Sequence, residues 1–154
     1  MTVLYGGAFD PPHLGHVAVA DAARERLETP RLVVLVSERP EHRDVVAPVE
    51  FRLELARAAF QGDDVHLDPY PRTVDLLRRE SFPDPIFVIG ADQFAGFLSW
   101  KEPEEVLSLA RLAVATRPGR GRRAAPRTEP VPRRLMSASR GYTAVTRPRT
   151  SIQP

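Results

Sequence analysis

The sequence predicts an α/β fold, a parallel sheet with helices on both faces. Three observations carry that expectation. Strand-length apolar runs alternate with segments of helical period along the first 116 residues. Two of the runs, Leu32-Val33-Val34-Leu35-Val36 and Ile86-Phe87-Val88-Ile89, are continuous rather than alternating, as expected of strands buried on both faces. And two of the runs stop at glycine, where a chain leaving a sheet turns toward a helix.

Taken in order, Val3-Leu4-Tyr5 is a short strand stopped by Gly6-Gly7. From about His13 the period becomes helical, with Val17, Ala20, Ala23 and Leu27 near one face, until Thr29-Pro30 breaks it. Leu32 to Val36 is the second strand. Phe51, Leu55, Ala58 and Ala59 mark the apolar face of a second helix that ends at Gln61-Gly62-Asp63-Asp64. Val65-His66-Leu67 is a short strand. Thr73 to Glu80 reads as a third helix, with Thr73 as its N-cap and Asp75 in its first turn. Ile86 to Ile89 is a strand stopped by Gly90. Pro103 to Leu109 is a short helix, and Leu112-Ala113-Val114-Ala115 a last buried strand.

Such alternation implies βαβ units. Loops leaving the carboxyl ends of parallel strands gather on one rim, where ligands bind. Gly6-Gly7, Ser37 to Arg43 and Gly90 to Phe94 each follow a strand and are expected there. After Arg117-Pro118-Gly119 the periodicity stops, and residues 118–154 hold six Pro and few apolar residues. The expected organisation is one domain at 1–119 followed by a poorly ordered Arg/Pro-rich segment at 120–154.

Composition narrows the function classes. The chain has 154 residues, 42% hydrophobic and 27% charged, enough for one sizeable core. No run approaches the roughly 18–20 apolar residues of a membrane span, and the N-terminus shows no signal-peptide pattern. Absent cysteine removes disulfides and thiolate chemistry and fits a cytoplasmic protein. The net charge of +2 hides an asymmetry: residues 1–116 hold 12 basic and 19 acidic residues, residues 117–154 ten Arg and one acid, Glu129. Twenty-one of the 22 basic residues are Arg, which with 16 Pro fits a GC-rich genome better than a demand for guanidinium groups. The basic tail has Tyr142 as its single aromatic and no regular spacing, so nucleic acid is not an expected partner.

The chemistry concentrates at the first strand–helix junction, Gly6-Gly7-Ala8-Phe9-Asp10-Pro11-Pro12-His13-Leu14-Gly15-His16. Two glycines allow close backbone approach, and a helix start offers free N–H groups to phosphate. Histidines three apart share a helix face. Alone, a His-x-x-His pair reads better as a helix cap than as a metal site, since no third ligand is evident. His66 has no motif around it and reads as structural. Arg52 by itself reads as a surface or helix-pairing side chain.

The whole string is more specific than its parts. It resembles the Gly-Gly-Thr-Phe-Asp-Pro-x-His-x-Gly-His signature of the nucleotidyltransferase superfamily, most closely bacterial nicotinate-mononucleotide adenylyltransferases, with Ala8 in place of Thr. Further segments are similar in the same order. Pro40-Glu41-His42-Arg43 resembles Pro-Pro-His-Lys, and Arg52 the Arg that opens the next helix. Thr73-Val74-Asp75 resembles Thr-x-Asp-Thr, with Leu76 at the second Thr. Gly90-Ala91-Asp92 resembles a Gly-x-Asp loop, Ser99-Trp100 a ring-stacking Trp, and Arg117-Pro118-Gly119 the usual end of the core. The resemblance covers residues 1–119. Of the family's terminal Ile-Ser-Ser-Thr-x-x-Arg motif only Met136-Ser137-Ala138-Ser139-Arg140 is found, in a chain several dozen residues shorter than the family implies.

The resemblance implies a Rossmann-like sheet of the nucleotidyltransferase type and adenylyl transfer from ATP to a mononucleotide 5′-phosphate, with pyrophosphate leaving and Mg²⁺ accompanying ATP. It implies His13 and His16 as catalytic residues, with no metal ligand of the protein's own. Gly7, Ala8, Phe9, Asp10, His13, Gly15, His16, Arg43, Gly90 and Asp92 would hold ATP, and Thr73, Trp100 and His42 the acceptor. Nicotinate mononucleotide is the first-choice acceptor; nicotinamide mononucleotide, phosphopantetheine and a cytidylyltransferase reaction are the alternatives within the superfamily. The missing terminal motif also leaves open a nucleotide-binding protein of weakened turnover, with a protease-sensitive segment after Gly119.

Overall fold

The computed structural model describes residues 1–41, 43–116 and 143–146. Its elements run β1 (Thr2–Gly7), α1 (Leu14–Arg26), β2 (Val33–Ser37), α2 (Val49–Ala59), β3 (Asp64–Asp68), α3 (Thr73–Arg79), β4 (Pro85–Gly90), α4 (Ala91–Ala95), a 3₁₀ turn at Phe97–Ser99, α5 (Pro103–Leu109), β5 (Arg111–Thr116) and β6 (Thr143–Thr146). The six strands form one sheet in the order β3-β2-β1-β4-β5-β6. Every neighbouring pair is parallel, as the βαβ alternation implies.

The sheet divides two apolar layers. Alternate residues of each strand point to opposite faces. Val3, Tyr5, Val34, Val36, Ile86 and Val88 pack with Ala20 and Ala23 of α1 and Ala56 of α2. Leu4, Leu35, Phe87, Ile89 and Leu112 pack with Val74, Leu76 and Leu77 of α3 and Val106 and Leu107 of α5. Burying each large apolar side chain stabilises the fold by about 1.5–3 kcal/mol, so strands filled on both faces fix the centre of the molecule.

Strand order reverses direction at β1. The chain moves from β1 outward to β2 and β3, then returns to place β4 on the other side of β1. Exit loops that diverge at such a switch open a crevice above the carboxyl ends of the strands. Gly6-Gly7 and Gly90 flank it.

Four sequence expectations need correction. The buried face of α2 is not centred where the periodicity placed it: Phe51 is 52% exposed and Ala58 is exposed, Arg52 and Ala56 face inward, and of the expected set Ala59 does pack against the core. Arg52 is therefore no surface side chain. Thr73 is the first residue of α3, not its N-cap, which is Arg72 and makes no side-chain capping bond. Gly90 to Phe94 is not a simple loop but begins the five-residue helix α4, too short to leave a periodic pattern. And the strand at Leu112-Ala113-Val114-Ala115 is not the last, since Thr143–Thr146 pairs with Ala113–Thr116 as a sixth. Residues 117–142 and 147–154, including Ser137 and Arg140, lie outside the described residues. No described helix is long and apolar enough to cross a membrane.

Candidate active site

Between β1 and α1 the chain makes a tight hairpin-like excursion anchored by one ring. Phe9 sits in the left-handed region at φ 46, with a cis Asp10–Pro11 bond following. That conformation disfavours a side chain by about 1–2 kcal/mol. The Phe9 ring offsets it: it is buried edge-on against Tyr5 at 5.5 Å, Phe60 at 5.1 Å and His16 at 5.1 Å. Gly7 is needed for this packing, since a Cβ there would lie 2.9 Å from the Phe9 ring.

The two histidines cap the start of α1 reciprocally. The Gly15 N–H donates to His13 Nδ1 at 3.1 Å, and the His13 N–H donates to His16 Nδ1 at 3.1 Å. Their rings stack with centroids 3.7 Å apart and planes 24° from parallel. Gly15 makes room: a Cβ on it would meet the His13 ring at 2.9 Å. Both Nδ1 atoms accept backbone protons, so each imidazole carries its own proton on Nε2. Burial, then the neighbouring His13 and Arg43, push the His16 pKa down to about 4. At neutral pH His16 is thus an uncharged ring with one outward donor, Nε2–H.

A frame behind the loop joins it to the segment leaving β2. Arg52 Nη1 donates to Ala8 O at 2.7 Å and Ser37 O at 2.8 Å; Nη2 donates to Glu38 O at 3.1 Å and Nε to Ala47 O at 3.1 Å. Asp10 accepts the N–H groups of Val46 and, at 3.2 Å, Ala47. Asp10, expected at ATP by resemblance, spends its carboxylate here on the protein backbone. Arg43 lies exposed on the same segment, near enough to His16 to depress its pKa. His42 lies outside the described residues.

Across the crevice Gly90 caps α4, and its N–H donates to Gln93 Oε1 at 3.1 Å. A Cβ on Gly90 would meet no protein atom closer than that same oxygen at 4.0 Å, so internal packing does not demand glycine there. Asp92 is exposed in the first turn of α4. Trp100 is half-buried, 5.2 Å from the Phe97 ring, at the edge of the second core layer.

Thr73 opens α3, which is tied at both ends to neighbouring segments by exposed ion pairs. Arg72 Nε meets Glu41 Oε2 at 2.7 Å, Lys101 Nζ meets Asp75 Oδ1 at 3.3 Å, and Arg78 meets Glu102 and Glu105. Neither the Arg52 frame nor these pairs was visible in the sequence. Their partners lie far apart in the chain, and only an isolated Arg on an apolar helix face hinted at the first.

Comparison with known proteins agrees with this fold. The cytidylyltransferase-like family model matches residues 4–151, reaching well past residue 119. A Thermus thermophilus protein named "Probable nicotinate-nucleotide adenylyltransferase" is 41% identical over 128 residues, covering 75% of this chain and 69% of its own. A Rubrobacter xylanophilus protein of the same name is 36% identical over 132 residues, covering 75% of this chain and 61% of its own. This chain thus spans about two thirds of the length of those relatives. The Plasmodium falciparum nicotinic acid mononucleotide adenylyltransferase solved with NaAD superposes with a TM-score of 0.69 over 97% of this chain and 76% of that one, at 16% identity, a likeness of fold. With its parallel sheet, its reversal of strand order at β1 and its histidine-capped first helix, the chain belongs to the cytidylyltransferase-like family of nucleotidyltransferases.

Proposed function

We propose that the protein transfers an adenylyl group from ATP to the 5′-phosphate of nicotinate mononucleotide, releasing pyrophosphate. The observation that carries the reading is the reciprocal capping of His13 and His16, which presents two Nε2–H donors from one helix start. The acceptor rests on the names of relatives up to 41% identical.

The reaction needs little covalent help. A phosphate monoester has its second pKa near ~6, so the acceptor is already a dianion at neutral pH and no general base is required. One of its oxygens attacks the α-phosphorus of ATP, and the bond to the β-phosphate oxygen breaks with pyrophosphate leaving. Catalysis then consists of alignment and of donors placed where negative charge develops. His13 and His16 supply Nε2–H donors, His16 without a proton to lose or gain near pH 7. Each such preorganised donor is worth on the order of 3 kcal/mol. Arg43 adds a positive charge beside them. Gly90, open to the crevice, leaves room for a nucleotide to approach backbone, with Asp92 beside it. Thr73 and Trp100 take the acceptor, the indole as a stacking surface.

Among the described residues no group of three or more His, Asp or Glu side chains is placed to hold a metal. Mg²⁺ is proposed to enter with ATP as part of the substrate and to neutralise its phosphates.

Pyrophosphate release from MgATP is the test, with nicotinate mononucleotide, nicotinamide mononucleotide, phosphopantetheine and glycerol 3-phosphate offered in parallel, and with CTP in place of ATP. Nicotinate mononucleotide with ATP is expected to give the highest kcat/KM. A better rate with phosphopantetheine, or with CTP, overturns the assignment.

A further inference from the structure

Arg52 is fully buried, 1% exposed; the Asp63 side chain is as deeply covered but pairs with Arg24. Its four hydrogen bonds all go to backbone carbonyls, and none of its bonding partners is a carboxylate. A guanidinium loses its hydration on burial, and that loss is tolerable only when its N–H groups are matched by acceptors. A methionine or leucine would fill the space on α2 without that cost. What an apolar residue could not do is connect the acceptors. They belong to three separate segments: Ala8 leaves β1 toward the histidines, Ser37 and Glu38 leave β2 toward Arg43, and Ala47 leads into α2.

Asp10 closes the same gap from the other side. Ala47 is gripped twice, its carbonyl by Arg52 and its N–H by Asp10. We propose that Arg52 and Asp10 are positioning residues, a two-sided latch that fixes the histidine loop against the segment bearing Arg43, so that His13, His16 and Arg43 meet the triphosphate as one preorganised set. The proposal rests on the adenylyl-transfer reading of the site. A planar fork of five donors is what spans three segments at once. Lysine, with three donors radiating from one atom, keeps the charge but cannot reach them all.

A latch of this kind acts on alignment more than on affinity. A flexible loop still finds ATP, but a displacement of about 1 Å at the reacting atoms costs up to ~10²-fold in rate. The test compares wild type, Arg52→Lys and Asp10→Asn in the full chain, below the melting temperature of each. Steady-state pyrophosphate release gives kcat and the KM for MgATP. Proton-detected imidazole ¹⁵N spectra follow the tautomer and titration of His16 without substrate. For Arg52→Lys we expect kcat to fall about 10–10²-fold while the KM for ATP changes less than about threefold, the pattern of a contact realised mainly in the transition state. The His16 midpoint should rise from about 4 toward the ordinary histidine range as the loop loosens and admits water. Asp10→Asn should move both readouts the same way by less.

Wild-type kcat in Arg52→Lys overturns the latch, as does a lower kcat with the His16 midpoint still near 4, which would mean a loss of stability alone. If Arg52→Lys does not fold, Asp10→Asn decides by the same two readouts. Should the wild type release no pyrophosphate with any acceptor, the adenylyl-transfer reading fails, and the His16 midpoint alone still decides the latch.

Discussion

The two flanks of the crevice are held by different physics. On the histidine flank, buried Phe9 and Arg52 stand behind Asp10 and the more exposed reciprocal caps of α1, and the frame is bonded mostly to backbone. On the Trp100 flank, α3 is tied to its neighbours by Arg72–Glu41, Lys101–Asp75 and Arg78–Glu102, all side chain to side chain and open to water. Buried, fully satisfied frames are rigid and high-stakes, whereas exposed ion pairs are each worth about 0–1 kcal/mol and weaken with salt. In the proposed reaction, charge would develop on the more rigid flank. The flank assigned to the acceptor ring is left adjustable.

Substitutions should therefore separate by flank in both size and kind. The largest effect is expected from His16→Ala, a fall in kcat of about 10²–10³-fold with ATP binding much less changed, measured by steady-state pyrophosphate release and by nucleotide titration. Gly15→Ala comes next. The new methyl would sit 2.9 Å from the His13 ring and push it off the N–H it caps, so kcat should fall about 10–10²-fold with the fold intact by circular dichroism. Equal turnover in Gly15→Ala would mean that the His13 cap is decorative.

On the other flank Trp100→Ala should raise the acceptor KM about tenfold, from loss of a stacked ring worth ~1–3 kcal/mol, while kcat and the KM for ATP stay near wild type. Asp75→Asn removes two exposed pairs, to Lys101 and Arg78, and should raise the acceptor KM by only about two- to threefold, an effect that vanishes above roughly 0.5 M salt. An Asp75→Asn effect as large as that of Trp100→Ala, or one insensitive to salt, would place a rigid frame on this flank as well.

A separate effect concerns stability rather than turnover. His16 is held neutral in the folded state down to about 4, against 6.5 when unfolded. A depressed folded pKa contributes stability that is complete above 6.5 and is lost as pH falls toward 4, because there the unfolded chain binds the extra proton. Asp68, raised to about 6 by burial, works with the opposite sign in an overlapping window. The difference between wild type and His16→Asn isolates the histidine. Urea midpoints should show the variant losing less stability than wild type between pH 6.5 and pH 4.

How far the sequence revealed this arrangement follows the range of the interactions. The histidine flank was readable because its parts are neighbours: eleven consecutive residues from Gly6 to His16 carry the turn, the ring anchor and both caps. The strands were readable because burial on both faces leaves unbroken apolar runs. Arg52 was misplaced because hydrophobic periodicity scores Phe51 as the buried residue, and four carbonyls from distant segments leave no trace in that pattern. Trp100 could be singled out only by its place after Gly90-Ala91-Asp92. The ion pairs that steady its flank join residues 24 to 31 positions apart, and exposed charges look alike until the fold brings them together.

The separation of the two flanks is itself measurable. A double-mutant cycle on kcat/KM for the acceptor, using wild type, His16→Ala, Trp100→Ala and the double variant, tests it in one experiment. Sites without shared partners add within about 0.3–0.5 kcal/mol, so the double variant should lose the product of the two single losses. A coupling above ~1 kcal/mol would contradict the account, because it would mean that the ring platform and the phosphate donors act as a single unit.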